Sequence, residues 1–281
     1  ALKDEKYKSV LWNKNESVEM NIFNTKETSS LYLPNINFMT HFPEVDRFKV
    51  VNKEKFEATT IDNMVSENKI NNLDFIKIDT QGAELNVIKG GEDFLSKNLV
   101  GLQVEVEFEK IYDNQPLFSE VDFLIRDKLN LSLWDLDLRY FKYKSSANKN
   151  INKKGRLIYA NALYFRSLEK LPKWLRDFSD SVKKEKLYSL FKISLIYGYL
   201  DYCYSLLESD IFKANFSSKE LEEIIIKLKK RKMFDFPFIK NRYIYFAMKL
   251  IANHFKPSHN NWVHSNSILG NRKWFKFFSQ M

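Results

Sequence analysis

The sequence predicts an α/β fold followed by an all-helical region. Three observations carry this. Apolar residues alternate with period two in short runs such as Ser17-Val-Glu-Met-Asn-Ile-Phe, the pattern of a half-buried strand. Segments with helical spacing lie between those runs, so strand and helix alternate and a mostly parallel sheet is expected. After Ser167 the alternation stops and only helical spacing remains.

Taken in order, residues 17–23 read as the first strand and residues 25–30 as a polar loop. Residues 48–51 read as a short strand. Thr60 is placed to cap a short helix over Ile61, Asp62, Asn63, Met64 and Val65. Residues 73–79 form a buried strand and residues 83–88 a helix. Gly90-Gly91 interrupts that helix, because two glycines cost roughly 2 kcal/mol in a helix interior. Helical character resumes over 92–97. Residues 99–108 form a strand with Leu102, Val104, Val106 and Phe108 on one face and Gln103, Glu105, Glu107 and Glu109 on the other. Residues 118–129 suit a helix. Residues 131–138 and 157–165 are strands, read as an antiparallel hairpin at one sheet edge, with a Lys-, Asn- and Ser-rich loop over 143–155.

Beyond Pro172 lie apolar helical spacing over 187–207, a capping box from Ser217 to Glu220 opening a helix to about residue 233, and a helix over 241–255 ended by Pro257. The boundary falls near 168–172, dividing an α/β region, 1–167, from a helical appendage, 168–281.

Composition narrows the function classes. The 281 residues are 44% hydrophobic, enough for a sizeable core. Cys203 is the only cysteine, which forbids an internal disulfide and fits a reducing, cytoplasmic setting. No apolar run approaches the ~20 residues that span a bilayer. The longest candidate, 190–207, is broken by Lys192, Gly198 and Asp201. Residues 1–167 hold 24 Lys+Arg and 25 Asp+Glu, residues 168–281 hold 21 and 11, so the excess positive charge sits in the appendage. That excess reads as a solvated lysine face, or alternatively as a surface for a peripheral or protein partner. No stretch interleaves stacking aromatics and arginines as a nucleic-acid reader does. His41, His254, His259 and His264 lack ligand spacing. Trp262, Trp274, Phe275, Phe277 and Phe278 cluster near the end; residues 274–278 read as the packing of a last helix or, with Lys273 and Lys276, as a contact for a membrane surface or a partner. The chain starts at Ala1 and enters a charged stretch at once, which raises the expectation of missing upstream residues.

The stretch Lys77-Ile-Asp-Thr-Gln-Gly-Ala-Glu carries the chemistry. Ligands of an open α/β sheet bind beyond the carboxyl ends of its strands, and Asp79 stands at such an end. Its carboxylate can accept two hydrogen bonds or hold a substrate hydroxyl. Gln81 adds a donor and an acceptor, Gly82 lets the backbone bend, and Glu84 falls in a first helical turn, where the dipole favours its charge. These residues read as the rim of a polar site; the plain alternative is an N-cap with a dipole partner.

The segment from Asp74 to Gly91 closely resembles the signature of the FkbM-type methyltransferase family. Thr59-Thr-Ile-Asp-Asn-Met upstream, Ala1-Leu-Lys-Asp and Ser29-Ser-Leu further back, Glu105, Glu107 and Tyr112 downstream, and Gly155 to Arg166 resemble its flanking sections, so the resemblance covers residues 1 to about 167. It implies a Rossmann-like fold that binds S-adenosyl-L-methionine and methylates an oxygen of a small-molecule or glycan acceptor. On that basis Asp79 and Glu105 are the expected catalytic residues, either one able to take or orient the hydroxyl proton, and Gln81, Gly82, Glu84 and Glu107 the expected substrate-binding ones. Asp79, Glu105 and Glu107 are hard oxygen ligands, but they read as a strand face and no metal is expected.

The family's glycine-spaced cofactor loop and its ribose-binding acidic residue are absent. The resemblance therefore implies a fragment that carries part of the Rossmann-like sheet and is inactive alone. The competing reading is a non-catalytic remnant α/β module whose basic helices bind a partner or a surface.

Overall fold

The computed structural model describes residues 9–70, 72–147 and 155–229, together with 247–248, 251 and 263–265. The chain opens with β1 (Val10–Leu11) and β2 (Glu16–Phe23), a short turn of helix α1 (Ile36–Met39), and β3 (Val50–Thr59). β3 lies between its partners, parallel to β1 and antiparallel to β2. It is much longer than the four residues expected at 48–51. Residues 51–55 are all exposed and only Ala58 is buried, so most of the strand carries no apolar alternation to read. Phe48 belongs to a preceding 3₁₀ turn and is buried.

α2 (Ile61–Ser66) begins as expected, with the Thr60 hydroxyl accepting the Asn63 N–H at 2.9 Å. β4 (Phe75–Ile78), α3 (Glu84–Lys89), α4 (Glu92–Asn98), β5 (Gly101–Glu107), α5 (Phe118–Asp127) and β6 (Ser132–Phe141) follow. The glycine pair separates α3 from α4. A Cβ at Gly90 would sit 2.0 Å from the Trp12 carbonyl oxygen, so the end of β1 can lie against this turn only because the side chain is missing. The one-turn helix α6 (Lys144–Ala147) precedes β7 (Arg156–Phe165).

These strands form a second sheet in the order β4-β5-β7-β6-β8, where β8 (Val263–Ser265) is contributed by the far end of the chain. The mostly parallel sheet expected from the sequence is corrected here. β4 and β5 pair parallel, whereas β5/β7, β7/β6 and β6/β8 pair antiparallel. The last two strands of the α/β region are antiparallel to each other as expected, but β7 does not lie at an edge. It turns back between β5 and β6. The reason is its composition: Leu163, Tyr164 and Phe165 are fully buried in succession, as are Ala160 and Ala162, so both faces of β7 need cover.

After β7 come α7 (Leu171–Trp174), α8 (Asp180–Ile196), α9 (Leu200–Glu208), α10 (Asp210–Asn215) and α11 (Ser218–Lys229). The capping box holds, with the Ser217 N–H donating to Glu220 at 3.0 Å and the Glu220 N–H donating to the Ser217 hydroxyl at 3.3 Å. Of the helix expected over 241–255, residues 247, 248 and 251 are described and are helical; its other residues, the aromatics at 274–278, and His254 and His259 lie outside the described residues. No described helix is long and apolar enough to cross a membrane.

The sheet is covered on both faces. Leu102, Val104, Val106, Ala160, Ala162 and Tyr164 pack against Val87, Ile88 and Leu95 and against Val121, Leu124 and Ile125 of α5. On the other face Val100, Leu163 and Phe165 pack against Leu187, Leu190 and Phe191 of α8 and Cys203, Leu206 and Phe212 beyond it. Burial of each such Leu or Phe contributes about 1.5–3 kcal/mol. α8 is also pinned to the entry of β4, where Lys186 and Ser189 both donate to Asp74 at 2.6 Å.

This second face changes character along β5. It is apolar near Val100, polar at Gln103, whose oxygen accepts the Tyr197 hydroxyl at 2.7 Å, and acidic at Glu105 and Glu107. A third, aromatic cluster closes that acidic end, built from Phe23, Phe42, Phe48, Tyr112 and Phe141 with Met39 and Ile158.

Candidate active site

The parallel register that pairs Ile78 with Val104 sets the next residues, Asp79 and Glu105, side by side at the carboxyl ends of β4 and β5. The chain then turns sharply. Gln81 has φ 55° and Gly82 φ 101°, two consecutive residues in the left-handed region. Such backbone is uncommon for a glutamine and persists where the surroundings hold it. Here the Ser30 hydroxyl donates to the Gln81 carbonyl at 2.6 Å. The turn aims the Gln81 amide back at the strand ends, where its nitrogen donates to Asp79 Oδ1 at 3.0 Å and to Glu105 Oε1 at 3.3 Å. Asp79 also accepts from Lys77 Nζ at 3.1 Å and is 36% exposed, so it forms the rim.

Gly82 is needed for more than its φ. A Cβ there would meet the Gln115 amide nitrogen at 3.2 Å and the rings of Tyr112 and Tyr32 at 3.3 Å. Glu84 opens α3 but points inward. It is 2% exposed and accepts the Thr80 N–H at 2.7 Å and the Thr80 hydroxyl at 3.1 Å. Burial pushes its pKa up, and the hydrogen bonds from its own backbone N–H and from Thr80 partly oppose this.

Glu107 is likewise 2% exposed. Burial first, then the charges of Glu84 and Glu105, raise its pKa well above the carboxylate range. Glu105 is raised well above that range by burial and by the charges of Asp79 and Glu84, with Lys77 and Arg139 opposing. Burial and Glu105 push the Tyr159 hydroxyl up to about 12. The six residues singled out in the sequence are thus gathered at one end of one sheet face. Asp79, Gln81 and Glu105 are joined directly, Glu84 and Glu107 act on them through charge, and Gly82 shapes the backbone between them. Among the described residues, no three His, Cys, Asp or Glu side chains are grouped to hold a metal ion.

Four further residues complete the arrangement. Tyr112, which the family resemblance places after the glutamate strand, brings its hydroxyl 3.0 Å from both Gln81 Oε1 and the Thr28 carbonyl. Gln115 accepts the N–H groups of Ile111 and Tyr112, each at 3.0 Å, and so fixes the turn that carries Tyr112. Ser30 and Thr80 supply the hydroxyls described above. Sequence spacing offered one signal for this group, the Tyr112-to-Gln115 interval of three residues that suits a side-chain-closed turn. Ser30 meets Gln81 across 51 positions, and nothing local marks it.

Burial and mutual charge make these carboxyls hold protons to higher pH than isolated ones, a property that general acids and bases use. No curated protein and no solved structure matches the chain. A model of the Methyltransferase FkbM domain matches residues 3–131, ending just before β6 where the resemblance read from the sequence ran on to about 167. Over that stretch the chain is similar to the FkbM methyltransferase domain, and the carboxylate cluster lies inside the matched residues.

Proposed function

We propose that this chain supplies the acceptor side of an S-adenosylmethionine-dependent methyltransferase site that methylates a hydroxyl oxygen of a sugar or glycan precursor. One observation carries the reading: the Gln81 amide clasps Asp79 and Glu105 together at neighbouring strand ends, inside the stretch that matches the methyltransferase domain.

The chain's own residues divide the work. Glu105, raised in pKa and flanked by Lys77 and Arg139, receives the proton of the acceptor hydroxyl. Asp79 at the rim accepts a hydrogen bond from a neighbouring hydroxyl and orients it. Glu84 and Glu107 keep the floor acidic, which favours neutral acceptors over anionic ones. Positioning and exclusion of water account for most of the catalytic effect.

The residues present do not fit the whole cofactor. The adjacent glycines Gly90-Gly91 separate two helices, and among the described residues no glycine-spaced loop leads from a strand into a helix. Among the described residues β4 pairs only with β5. The reading therefore requires a cofactor-binding half docked on the other edge of β4.

The test uses the full-length protein. Calorimetric titration with S-adenosylmethionine is expected to show binding, and labelled methyl should pass to neutral hydroxylated sugars. Glu105→Gln should retain that binding and lose at least about 100-fold in turnover. Full turnover by the glutamine variant, or a full-length protein that binds no S-adenosylmethionine, overturns the reading.

A further inference from the structure

The Tyr112 hydroxyl has one hydrogen and two acceptors at the same distance, Gln81 Oε1 and the Thr28 carbonyl, each 3.0 Å away. On the opposite side of the Gln81 amide, both nitrogen hydrogens are taken by carboxylates. That side is complementary only while the acids are ionised. A protonated Glu105 needs an acceptor and would call for the amide oxygen instead. A half-turn of the amide provides it: the oxygen then faces Glu105, the nitrogen donates to the Tyr112 oxygen, and Tyr112 donates wholly to Thr28. The half-turn suits Glu105 and Tyr112 and leaves Asp79 with Lys77 as its donor.

Everything except the amide is held. Tyr112 is 1% exposed, its ring stacks on Phe23 at 6.2 Å and meets Phe48 in a T-shaped contact at 6.1 Å, and its N–H is bound by Gln115. The Gln81 backbone is fixed by its left-handed turn and by Ser30. The carboxamide is therefore the part left able to rotate, and the Tyr112 hydrogen selects its orientation.

We propose that Tyr112 is a positioning residue for the Glu105 carboxylate, acting through the Gln81 amide: by donating to the amide oxygen it holds the nitrogen toward Asp79 and Glu105 and favours their proton-accepting form. For Glu105 this rests on the reading of that residue as the acceptor base. The charged and titratable groups around Glu105 are Lys77 and Asp79 from the end of β4, Glu84 from α3, and Glu107 from its own strand. Arg139 of β6, Tyr159 of β7 and Tyr112 face it from the remaining sides. Against that mixed field, the two-hydrogen amide is the neutral group whose orientation alone can change sign for Glu105.

The experiment follows the Glu105 carboxyl by NMR in full-length protein labelled with ¹³C at glutamate, the signal being assigned by its loss in Glu105→Gln. Tyr112→Phe keeps the ring and removes only the hydroxyl; it should raise the Glu105 midpoint by about one pH unit. Gln81→Met should raise it similarly, and the double variant no further than Gln81→Met alone. An unmoved midpoint in Tyr112→Phe, or additive shifts in the double variant, overturns the proposal. Melting curves of each variant establish that the fold persists. The rising limb of the methyl-transfer pH profile should move with the carboxyl midpoint. A midpoint that moves in a protein showing no methyl transfer would uphold the clasp and remove the enzymatic reading.

Discussion

Glu84, Glu105 and Glu107 each carry a pKa raised by burial and by one another's charge. The consequence for stability has a definite sign. An unfolded glutamate titrates near 4.3, so as pH rises the unfolded chain gives up protons that the native state retains. Stability from these groups is full below the unfolded value and is lost as pH rises through the native ones. The melting temperature should therefore fall as pH rises above the unfolded glutamate value, and Glu107→Gln should flatten that fall. Calorimetric scans across this range check it; a wild-type profile already flat would remove the raised carboxyls from the account. At this scale the strand-end motif was legible because Asp79, Gln81, Gly82 and Glu84 are close in sequence and each has an unusual role there. Thr28 and Ser30 were not, because their link to the site is a hydroxyl and a carbonyl brought in from a loop whose composition is that of any polar turn.

Elements differ in how openly their sequences declare them. β5 is plain because Leu102, Val104 and Val106 alternate with polar residues and are fully buried. α2 is plain because Thr60 caps it. β3 is hidden because it is solvated along most of its length, and β7 is misplaced because a strand apolar on both faces says that it is central without saying between which neighbours. α8 shows how an element outside the matched domain is fastened to it. Lys186, 4% exposed at its side chain, is paired with Asp74 at the entry to β4. Breaking one partner of a buried pair leaves the other uncompensated, whereas replacing both removes the desolvation cost as well. Lys186→Met should thus cost about 3 kcal/mol, and Asp74→Leu added to it should recover most of the loss. Urea unfolding of the single and double variants measures this. A double variant as unstable as the single one would mean that α8 is held by its apolar face alone.

Over the whole molecule, charge is unevenly distributed along the sequence. Residues 1–229 hold 35 basic and 35 acidic residues, and residues 230–281 hold 10 and 1, so the net charge of +9 belongs to the last 52 positions. The α/β class was readable from strand and helix alternation, and one motif marked residues that the strand ends bring together. The pairing order was not, since it depends on contacts between segments far apart in the chain.

That order has a consequence for biosynthesis. β7 is made after β5 and β6 yet stands between them, so β5 has only β4 beside it, and β6 has no neighbour, until residues up to Phe165 have left the ribosome. Contacts of such long sequence separation slow assembly and leave apolar strands waiting. Stalled nascent chains ending near residue 150 should be cleaved by added protease as readily as unfolded protein, and chains that expose residue 170 and beyond should resist it. Protection already complete in the shorter chains would show that the early strands settle without their central partner.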